Sequence, residues 1–228
     1  MDPDRVRALL EQAIPAPACE LKHEGAWQLL IATILSAQST DQRVNKVTPA
    51  LFARYPTPAA LAAASQEEVE DAVRSTGFFR QKAARVREAS RVIVEEHGGE
   101  VPRDLDALLA IKGVARKTAN LVLGTAYGLS TGIVVDTHVR RVSQRLGLTP
   151  QKDPNKIERD LQVVFPRETW VDMGHRLLLH GRYLCTAKSP ECEVCPLAEG
   201  CPSAKAAPDR DLDARIALEA ERIAEALA

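Results

Sequence analysis

The chain has 228 residues, with 30 Lys and Arg against 31 Asp and Glu, so its formal net charge is −1. That balance excludes a protein that binds nucleic acid through a general excess of positive charge. The longest mainly apolar run, residues 26–37, is too short to cross a bilayer, which takes about 20 residues. Charged residues interrupt the first eleven positions, where a signal peptide would begin. We therefore expect a cytoplasmic protein with no membrane partner.

Helical patterns follow one another along the chain, starting with residues 4–14. Residues 26–37 are apolar nearly all round, which predicts a buried central helix. The short apolar run at residues 133–136 is too isolated to start a sheet, and no strand–turn–strand pattern occurs. The sequence therefore predicts an all-α fold. Further helices are predicted at residues 42–55, 57–65, 65–76, 80–99, 104–111, 115–128, 137–148, 154–165 and 168–185.

Two helix starts and one helix end carry recognisable boundary residues. Thr57 followed by Pro58 is typical of an N-cap with proline at the first helical position. Ser65 with Glu68 three residues later matches a capping box. Gly77 is placed as the C-terminal glycine of the helix that follows this box.

The basic residues are concentrated locally, although the total charge is near zero. Such concentrations are consistent either with a surface for a polyanion or with ordinary solvated faces. The three basic clusters are Arg74, Arg80, Lys82, Arg85, Arg87 and Arg91; Lys112, Arg116 and Lys117; and Arg140, Arg141 and Arg145.

The composition changes after Cys201. The last 20 residues, from Asp209, hold six acids and three arginines, and we assign 209–228 as an acidic C-terminal extension. Residues 214–228 could form a helix that docks on the fold, binds a partner or frays. Its weak apolar stripe consists of Ile216, Ala220, Ile223 and Leu227.

Four of the five cysteines, Cys185, Cys192, Cys195 and Cys201, follow the spacing C-x6-C-x2-C-x5-C. In a reducing compartment such a cluster indicates metal binding rather than disulfides. The spacing alone leaves an iron–sulfur cluster, a zinc ion and free thiols as alternatives. Cys19 lies apart and is predicted to be a core or surface thiol.

The segment 111–124, IKGVARKTANLVLG, places a glycine turn between two predicted helices, which is a helix–hairpin–helix. Backbone N–H groups at such a turn and at the following helix start suit a phosphate. Arg116 and Lys117 occupy the positive end of the second helix, where cations are mildly unfavourable unless an anion lies beside them. An ordinary turn with surface cations is the simpler interpretation of this motif taken alone.

Asp136 follows the apolar run 133–135 and precedes a predicted helix. It can be a helix N-cap, which stabilises the helix by about 1 kcal/mol. It can also be a catalytic carboxylate that stabilises positive charge developing on a sugar. An amine such as Lys117 must be neutral to attack carbon, and the adjacent Arg116 favours the neutral amine whereas Asp136 opposes it.

Taken together, the cysteine spacing, the hairpin IKGVARKTANLVL and the segment VVDTHVRRV resemble endonuclease III, within the helix–hairpin–helix DNA glycosylase superfamily. The segment LLIATILSAQSTDQRVNK is similar to the start of the family's helical barrel, and the resemblance runs from about residue 5 to 204. It implies two helical domains with a DNA-binding cleft between them. The expected domains are a six-helix barrel at 23–133, which contains the hairpin, and an iron–sulfur domain formed by 1–22 and 134–208.

The resemblance also implies an activity. Lys117 occupies the position of the nucleophile and Asp136 that of the catalytic carboxylate. The expected enzyme is a DNA glycosylase and AP lyase that removes oxidised pyrimidines from duplex DNA through a lysine Schiff base and β-elimination. Its partner would be double-stranded damaged DNA, bound by a monomer that is associated with the nucleoid in a bacterium.

The same resemblance assigns the cofactor: Cys185, Cys192, Cys195 and Cys201 would bind a 4Fe–4S cluster.

Further residues match the family's DNA contacts. Gln38 would fill the gap left by the flipped base, Phe78 would be the apolar wedge facing the opposite strand, and His138 would lie near the active site. The alternative for Gln38 is a polar residue at a helix end, that for Phe78 is a core aromatic, and that for His138 is a structural histidine. The hairpin contacts are Lys112, Gly113, Val114, Ala115 and Arg116, where Ala115 carries a methyl in place of the family's glycine.

Two other functions are compatible with these motifs. One is a monofunctional base-excision glycosylase of the same superfamily, although such enzymes lack a lysine at the Lys117 position. The other is a catalytically weak DNA-binding iron–sulfur paralogue, which the altered hairpin at Ala115 and the small positive charge would fit.

Overall fold

The computed structural model describes residues 1–208 and 211–227. Within these residues the regular structure is helical throughout and no strand occurs, which confirms the all-α prediction. Asp209 and Arg210, where the extension was expected to begin, lie outside the described residues, as does Ala228. None of the described helices is long and apolar enough to span a membrane. The α-helices are α1 (Pro3–Ala13), α2 (Ala26–Leu35), α3 (Asp41–Arg54), α4 (Pro58–Ala63), α5 (Gln66–Val73), α6 (Phe79–His97), α7 (Leu105–Ala110), α8 (Arg116–Tyr127), α9 (Thr137–Arg145), α10 (Pro154–Val164), α11 (Trp170–Tyr183) and α12 (Leu212–Leu227).

The backbone packs into two compact units. The central unit is Cys19–Thr131, and the terminal unit combines Met1–Ala18 with Gly132–Ala228. These boundaries lie a few residues before the expected ones, and α12 is part of the terminal unit rather than a separate extension. The central unit, all of it described, contains seven α-helices, α2 to α8, where the resemblance implies six; two of them, α4 and α7, have only six residues each.

The central unit is built around α2. Every residue from Leu29 to Leu35 is buried, as the apolar run predicts. This helix packs against α3, α6 and α8, and the indole N–H of Trp27 donates to Ser90 Oγ of α6 at 3.1 Å. The core of this unit therefore fixes the position of α8, which follows the glycine turn.

The predicted helix boundaries in this unit are largely confirmed. Thr57 Oγ1 accepts a hydrogen bond from the Ala60 N–H, and both reciprocal bonds of the Ser65–Glu68 capping box are present. Gly77 is not the C-terminal glycine of α5, because that helix already ends at Val73. A three-residue 3₁₀ turn follows, and Gly77 ends that turn with φ +71°.

In the terminal unit, α9 packs closely on α11 because Gly181 has no side chain. A Cβ atom at Gly181 would lie 2.9 Å from Val142 Cγ2 and 3.0 Å from His138 Cβ. Within the same unit, α11 is joined to the end of α1 by Arg176, whose Nε–H donates to the Ile14 carbonyl at 3.0 Å. The position of α9 therefore depends on the absence of a side chain at Gly181.

The helix α12 is docked on α1 and α11 of the terminal unit, which is one of the three alternatives predicted for this segment. Ile223 is buried, and Ile216 and Leu227 pack partly buried against the core. The residues most completely covered are Arg215 and Glu219, each 1% exposed. The buried face is therefore offset from the apolar stripe, because charged side chains of this helix have partners inside the unit.

We predict that Gly181→Ala destabilises the protein by about 1 to 3 kcal/mol, since the new methyl group overpacks the contact between α9 and α11. The matched control is Gly174→Ala in the same helix, where the nearest atom to the new Cβ would be 3.4 Å away. Chemical unfolding of both variants measures the difference. Equal stability of the two variants would contradict the prediction.

Candidate functional site

The predicted hairpin is present between α7 and α8. Ile111 and Val114 are buried on either side of the turn, and the Val114 N–H donates to the Ile111 carbonyl at 3.0 Å. Gly113 lies between them with φ +95°, a conformation that favours glycine. A Cβ there would lie 3.2 Å from Arg85 Cδ, so a larger residue would have to push the Arg85 side chain of α6 aside.

The first turn of α8 has no side-chain cap. Ala115 occupies the N-cap position, and its methyl group cannot accept a hydrogen bond from the helix N–H groups. Its φ of −88° and ψ of 164° are extended values that any residue adopts, so alanine causes no backbone strain here. The amide N–H groups at this 12-residue helix start are therefore not engaged by a capping side chain and suit an anion.

Exposed cations surround this turn. Lys117 is the second residue of α8 and is exposed, as are Lys112 and Arg85. Within residues 1–208 and 211–227, none of these three side chains makes a hydrogen bond or an ion pair. A shallow surface depression beside the hairpin is lined by Ala84, Arg85, Glu88 and Lys112. Lys112 and Lys117 of the second basic cluster, together with Arg85 of the first, therefore remain available to a polyanion.

The first basic cluster is largely used within the fold, contrary to its interpretation as one polyanion surface. Arg74 pairs with Asp71, and Arg91 pairs with Glu88 and Glu95. The side chain of Arg87 donates to the Ala64 carbonyl and to Gln66. Sequence position alone did not distinguish these cations from Arg85.

Lys82 is the residue in this cluster whose role the sequence did not indicate. Its side chain is 3% exposed, and Nζ donates to the Thr76 carbonyl at 2.7 Å. Burial lowers the pKa of the Lys82 ammonium. This contact holds the turn that leads into Phe78, so Lys82 is a structural residue beneath a candidate DNA contact.

The two predicted intercalation residues share an unusual backbone. Phe78 has φ +48° and is 64% exposed, so it is not a core aromatic. Gln38 has φ +54° and lies exposed in the turn after α2. Outside glycine, positive φ occurs at these two positions of the described chain. Because such conformations are unfavourable for residues with a Cβ, they mark candidate functional positions.

Asp136 is the N-cap of α9, which is the structural one of the two roles that the sequence suggests for it. Its Oδ1 accepts hydrogen bonds from the N–H groups of His138 and Val139, both at 2.8 Å. In the described residues both hydrogen bonds accepted by Asp136 go to this one oxygen. The cap therefore fixes the carboxylate and leaves Oδ2 for another partner.

His138 lies half-buried on the first turn of α9. Burial lowers the pKa of its imidazole, and the nearby Arg182 and Arg141 act in the same direction against the opposing charge of Asp136. Arg141 Nη2 lies 3.2 Å from Nδ1 of this ring, which is compatible with a neutral His138 that accepts a hydrogen bond there.

The third basic cluster serves the cysteine loop. Arg141 donates to the carbonyls of Gly181 and Cys185, and Arg145 donates to the carbonyls of Cys185, Thr186 and Ala187. These contacts fix the loop in which the cysteines lie. Of this cluster, Arg140 is exposed.

The four clustered cysteines are half-buried and line one cavity together with Leu184, Leu197 and Ala198. Within residues 1–208 and 211–227, no three His, Cys, Asp or Glu side chains form a group that could hold a single metal ion. The four thiols line a shared space, as the ligands of one cluster must. Cys19 lies apart from them, partly buried against the core of the central unit.

N–H donors point at the sulfur atoms of this cavity. Arg145 Nη1 lies 3.2 Å from Cys185 Sγ, and the Lys205 N–H lies 3.4 Å from Cys192 Sγ. Burial raises the pKa of Cys185, but His180 and Arg145 outweigh it and hold that pKa below its ordinary value. Burial and the neighbouring thiols raise the pKa of Cys201. Such donors tune thiolate ligands.

Known proteins are similar to this chain both over the helical segment that contains the hairpin and over the cysteine loop. Residues 31–167 match the HhH-GPD superfamily of base excision DNA repair proteins, and residues 185–201 match the iron–sulfur binding domain of endonuclease III. The chain is 52% identical to endonuclease III of Synechocystis sp. over 87% of this chain and 90% of that protein. It is 43% identical to endonuclease III of Escherichia coli over 84% of this chain and 90% of that protein.

Solved structures give the same result. A trapped endonuclease III–DNA covalent intermediate matches with a TM-score of 0.84 and 42% identity, over 90% of this chain and 98% of that chain. A thermostable thymine-DNA glycosylase matches with a TM-score of 0.79 over 89% of this chain and 97% of that chain, and at 21% identity it supports the fold alone.

We predict that Gly113→Ala weakens binding to duplex DNA about tenfold or more, because the added methyl group displaces Arg85 and forces the turn out of the conformation that presents its N–H groups. Fluorescence anisotropy with a labelled duplex measures the affinity. The control is Gly128→Ala, which has φ +67° and open space around the added methyl group. Unchanged affinity of Gly113→Ala would contradict the assignment of the hairpin as a DNA contact.

Proposed function

The chain belongs to the HhH-GPD superfamily of base excision DNA repair proteins, in its endonuclease III branch, and from this premise we propose that Lys117 and Asp136 carry out the reaction. The enzyme is a bifunctional DNA N-glycosylase and AP lyase. The observation that most strongly supports the proposed nucleophile is the exposed amine of Lys117 on the uncapped start of α8, next to the hairpin.

The proposed reaction begins at the sugar of a damaged nucleotide. The neutral Lys117 amine attacks C1′ and the bond from C1′ to the base breaks. The base leaves with the electron pair of that bond and takes up a proton, while the newly bonded Nζ loses one, so that the net charge is unchanged. The sugar ring opens to give a Schiff base between C1′ and Nζ. Loss of a proton from C2′ then expels the 3′ phosphate by β-elimination, and water releases the lysine from the sugar.

Asp136 has two roles in this proposal, one for each carboxylate oxygen. Oδ1 is engaged as the cap of α9, which fixes the orientation of the group. Oδ2 is available to stabilise the positive charge that develops on the sugar as the base leaves. A fixed carboxylate is more effective than a mobile one because it loses no further freedom at the transition state.

The hairpin is proposed to hold a DNA phosphate beside the reacting sugar. Two features support this role: the uncapped amide N–H groups of α8 and the exposed Lys112 and Arg85 nearby. Arg116 is the first residue of α8, and Val114 anchors the turn in the core. The Ala115 methyl fits the protein backbone without strain, so its effect is limited to how closely a phosphate can approach.

The substrate is proposed to be an oxidised pyrimidine in duplex DNA, bound by a monomer. Flipping a base costs a few kcal/mol, least when the base is damaged. We assign Gln38 to the vacated gap and Phe78 to the opposite strand, where its exposed ring could enter the stack. His138 is assigned a place near the flipped nucleotide. In a bacterium the enzyme would work at the nucleoid.

The cofactor is a 4Fe–4S cluster. Cys185, Cys192, Cys195 and Cys201 would hold it, and they fit the group because they line one cavity into which N–H donors point. When bound, the cluster supplies a rigid cross-link of the loop and a redox centre. The loop itself is held to α9 by Arg141 and Arg145.

Borohydride trapping tests the proposed nucleophile. Wild-type protein incubated with a duplex containing thymine glycol should form a covalent adduct, because borohydride reduces the Schiff base to a stable amine. Lys117→Gln should form none. Lys112→Gln is the control, since it removes an exposed amine from the same hairpin and should still trap. Adduct formation by Lys117→Gln would contradict the proposal.

Substitutions at Asp136 separate its two roles. Asp136→Asn should keep its stability within about 0.5 kcal/mol, because asparagine caps a helix as well as aspartate. Its single-turnover rate of base release should fall about 100-fold or more. Asp136→Ala should lose the activity and also about 1 kcal/mol of stability. A wild-type rate of base release in Asp136→Asn would exclude the charge of this carboxylate from catalysis.

A further inference from the structure

The C-terminal helix α12 lies beyond both ranges that match the family, which end at residues 167 and 201. It packs against α1 and α11 of the terminal unit. Its most completely buried side chains include a cation and an anion, Arg215 and Glu219, rather than the apolar stripe alone. Buried charges are costly unless they are paired, so their partners indicate what the helix is built to contact.

Arg215 contacts the cysteine loop directly. Its Nη1 donates to the carbonyl of Cys195 at 2.9 Å, and its Nη2 pairs with Glu199 Oε1 at 2.7 Å. The other oxygen of Glu199 accepts from Arg5 Nη2 of α1 at 3.2 Å. One buried guanidinium therefore links α12 to a cluster ligand and, through Glu199, to α1.

Glu219 reaches the same ligand through a histidine of α11. Its Oε1 lies 2.6 Å from His180 Nδ1, and both side chains are 1% exposed. The opposite ring nitrogen, Nε2, lies 3.9 Å from Cys195 Sγ. The contact on Nδ1 fixes the rotation of the ring, so Glu219 determines which atom of His180 faces the sulfur.

Two further contacts lie at the edges of the helix. Arg222 pairs with Glu191, the residue before Cys192, at 2.9 Å. This pair is partly exposed and is expected to contribute little. Ile223 is buried, and Ile216 packs against the core of the terminal unit. The apolar contacts attach the helix, whereas the buried polar contacts are directed at the cysteine loop.

We propose that α12 is a strap that closes the cluster loop, and that Glu219 is a positioning residue that holds His180 against the cluster ligand Cys195. Groups that contact metal ligands determine how firmly the ligands are held and set the reduction potential through hydrogen bonds to sulfur. The strap thereby slows loss of the cluster and adjusts its potential. This inference rests on the cluster and is independent of the role of Lys117.

Variants at Glu219 test the proposal. Glu219→Met fills the same space without a hydrogen-bond acceptor, whereas Glu219→Gln keeps an acceptor for Nδ1. Glu221→Met, on the exposed face of the same helix, is the matched control. Each holoprotein is first assayed for iron and sulfide content. The readouts are the reduction potential by voltammetry and the decay of cluster absorbance in the presence of a chelator.

Glu219→Met should lose its cluster about tenfold faster than wild type and show a shifted potential, because the histidine is no longer held. Glu219→Gln should lie close to wild type, and Glu221→Met should be unchanged. Wild-type decay and potential in Glu219→Met would overturn the proposal. A Glu219→Gln variant that behaves like Glu219→Met would contradict positioning through a hydrogen bond.

A second measurement needs no substitution and remains decisive if Glu219→Met fails to fold. Hydrogen exchange is followed in wild-type protein before and after oxidative removal of the cluster. If α12 straps the loop, its amides should exchange at least tenfold faster once the cluster is lost, because coupling between two sites is reciprocal. Unchanged exchange across residues 212–227 would overturn the proposal.

Discussion

The uncapped first turn of α8 is the feature on which the proposed site depends. Ala115 provides no acceptor for its N–H groups, and Gly113 brings the turn close against Arg85. The helix start therefore suits a phosphate, and Lys117 extends from the same turn. At α9 the corresponding position is filled by Asp136, which caps its helix with one oxygen. One helix start is thus left for the substrate, and the other holds a carboxylate in a fixed orientation.

Local signals in the sequence were sufficient for most of the fold. Glycine, proline and capping residues mark helix ends through contacts made within a few residues, so the Ser65–Glu68 box and the cap at Asp136 were predictable. The burial of Lys82 was not, because its partner carbonyl at Thr76 becomes close only when the turn before α6 has formed. The basic clusters in the sequence therefore predict a larger DNA-accessible surface than the folded chain has.

The buried charges of the C-terminal helix α12 are a second feature that local sequence patterns do not predict. The sequence shows an apolar stripe, but it gives no sign that Arg215 and Glu219 of the acidic extension are buried. Their partners lie 16 to 39 residues earlier in the chain, at Glu199, Cys195 and His180. No local pattern reveals such pairs, since a buried charge differs from a solvated one only in what the tertiary structure places around it.

Identification of the lysine that becomes bonded to DNA is the sharpest test of the proposed mechanism. The borohydride-reduced adduct of wild-type protein is digested, and the modified peptide is sequenced by mass spectrometry. If Lys117 is the nucleophile, the sugar remnant will be attached to Lys117 alone. Attachment to Lys112, which is exposed on the same hairpin, or to the amino group of Met1 would contradict it, because neither amine lies on the uncapped start of α8.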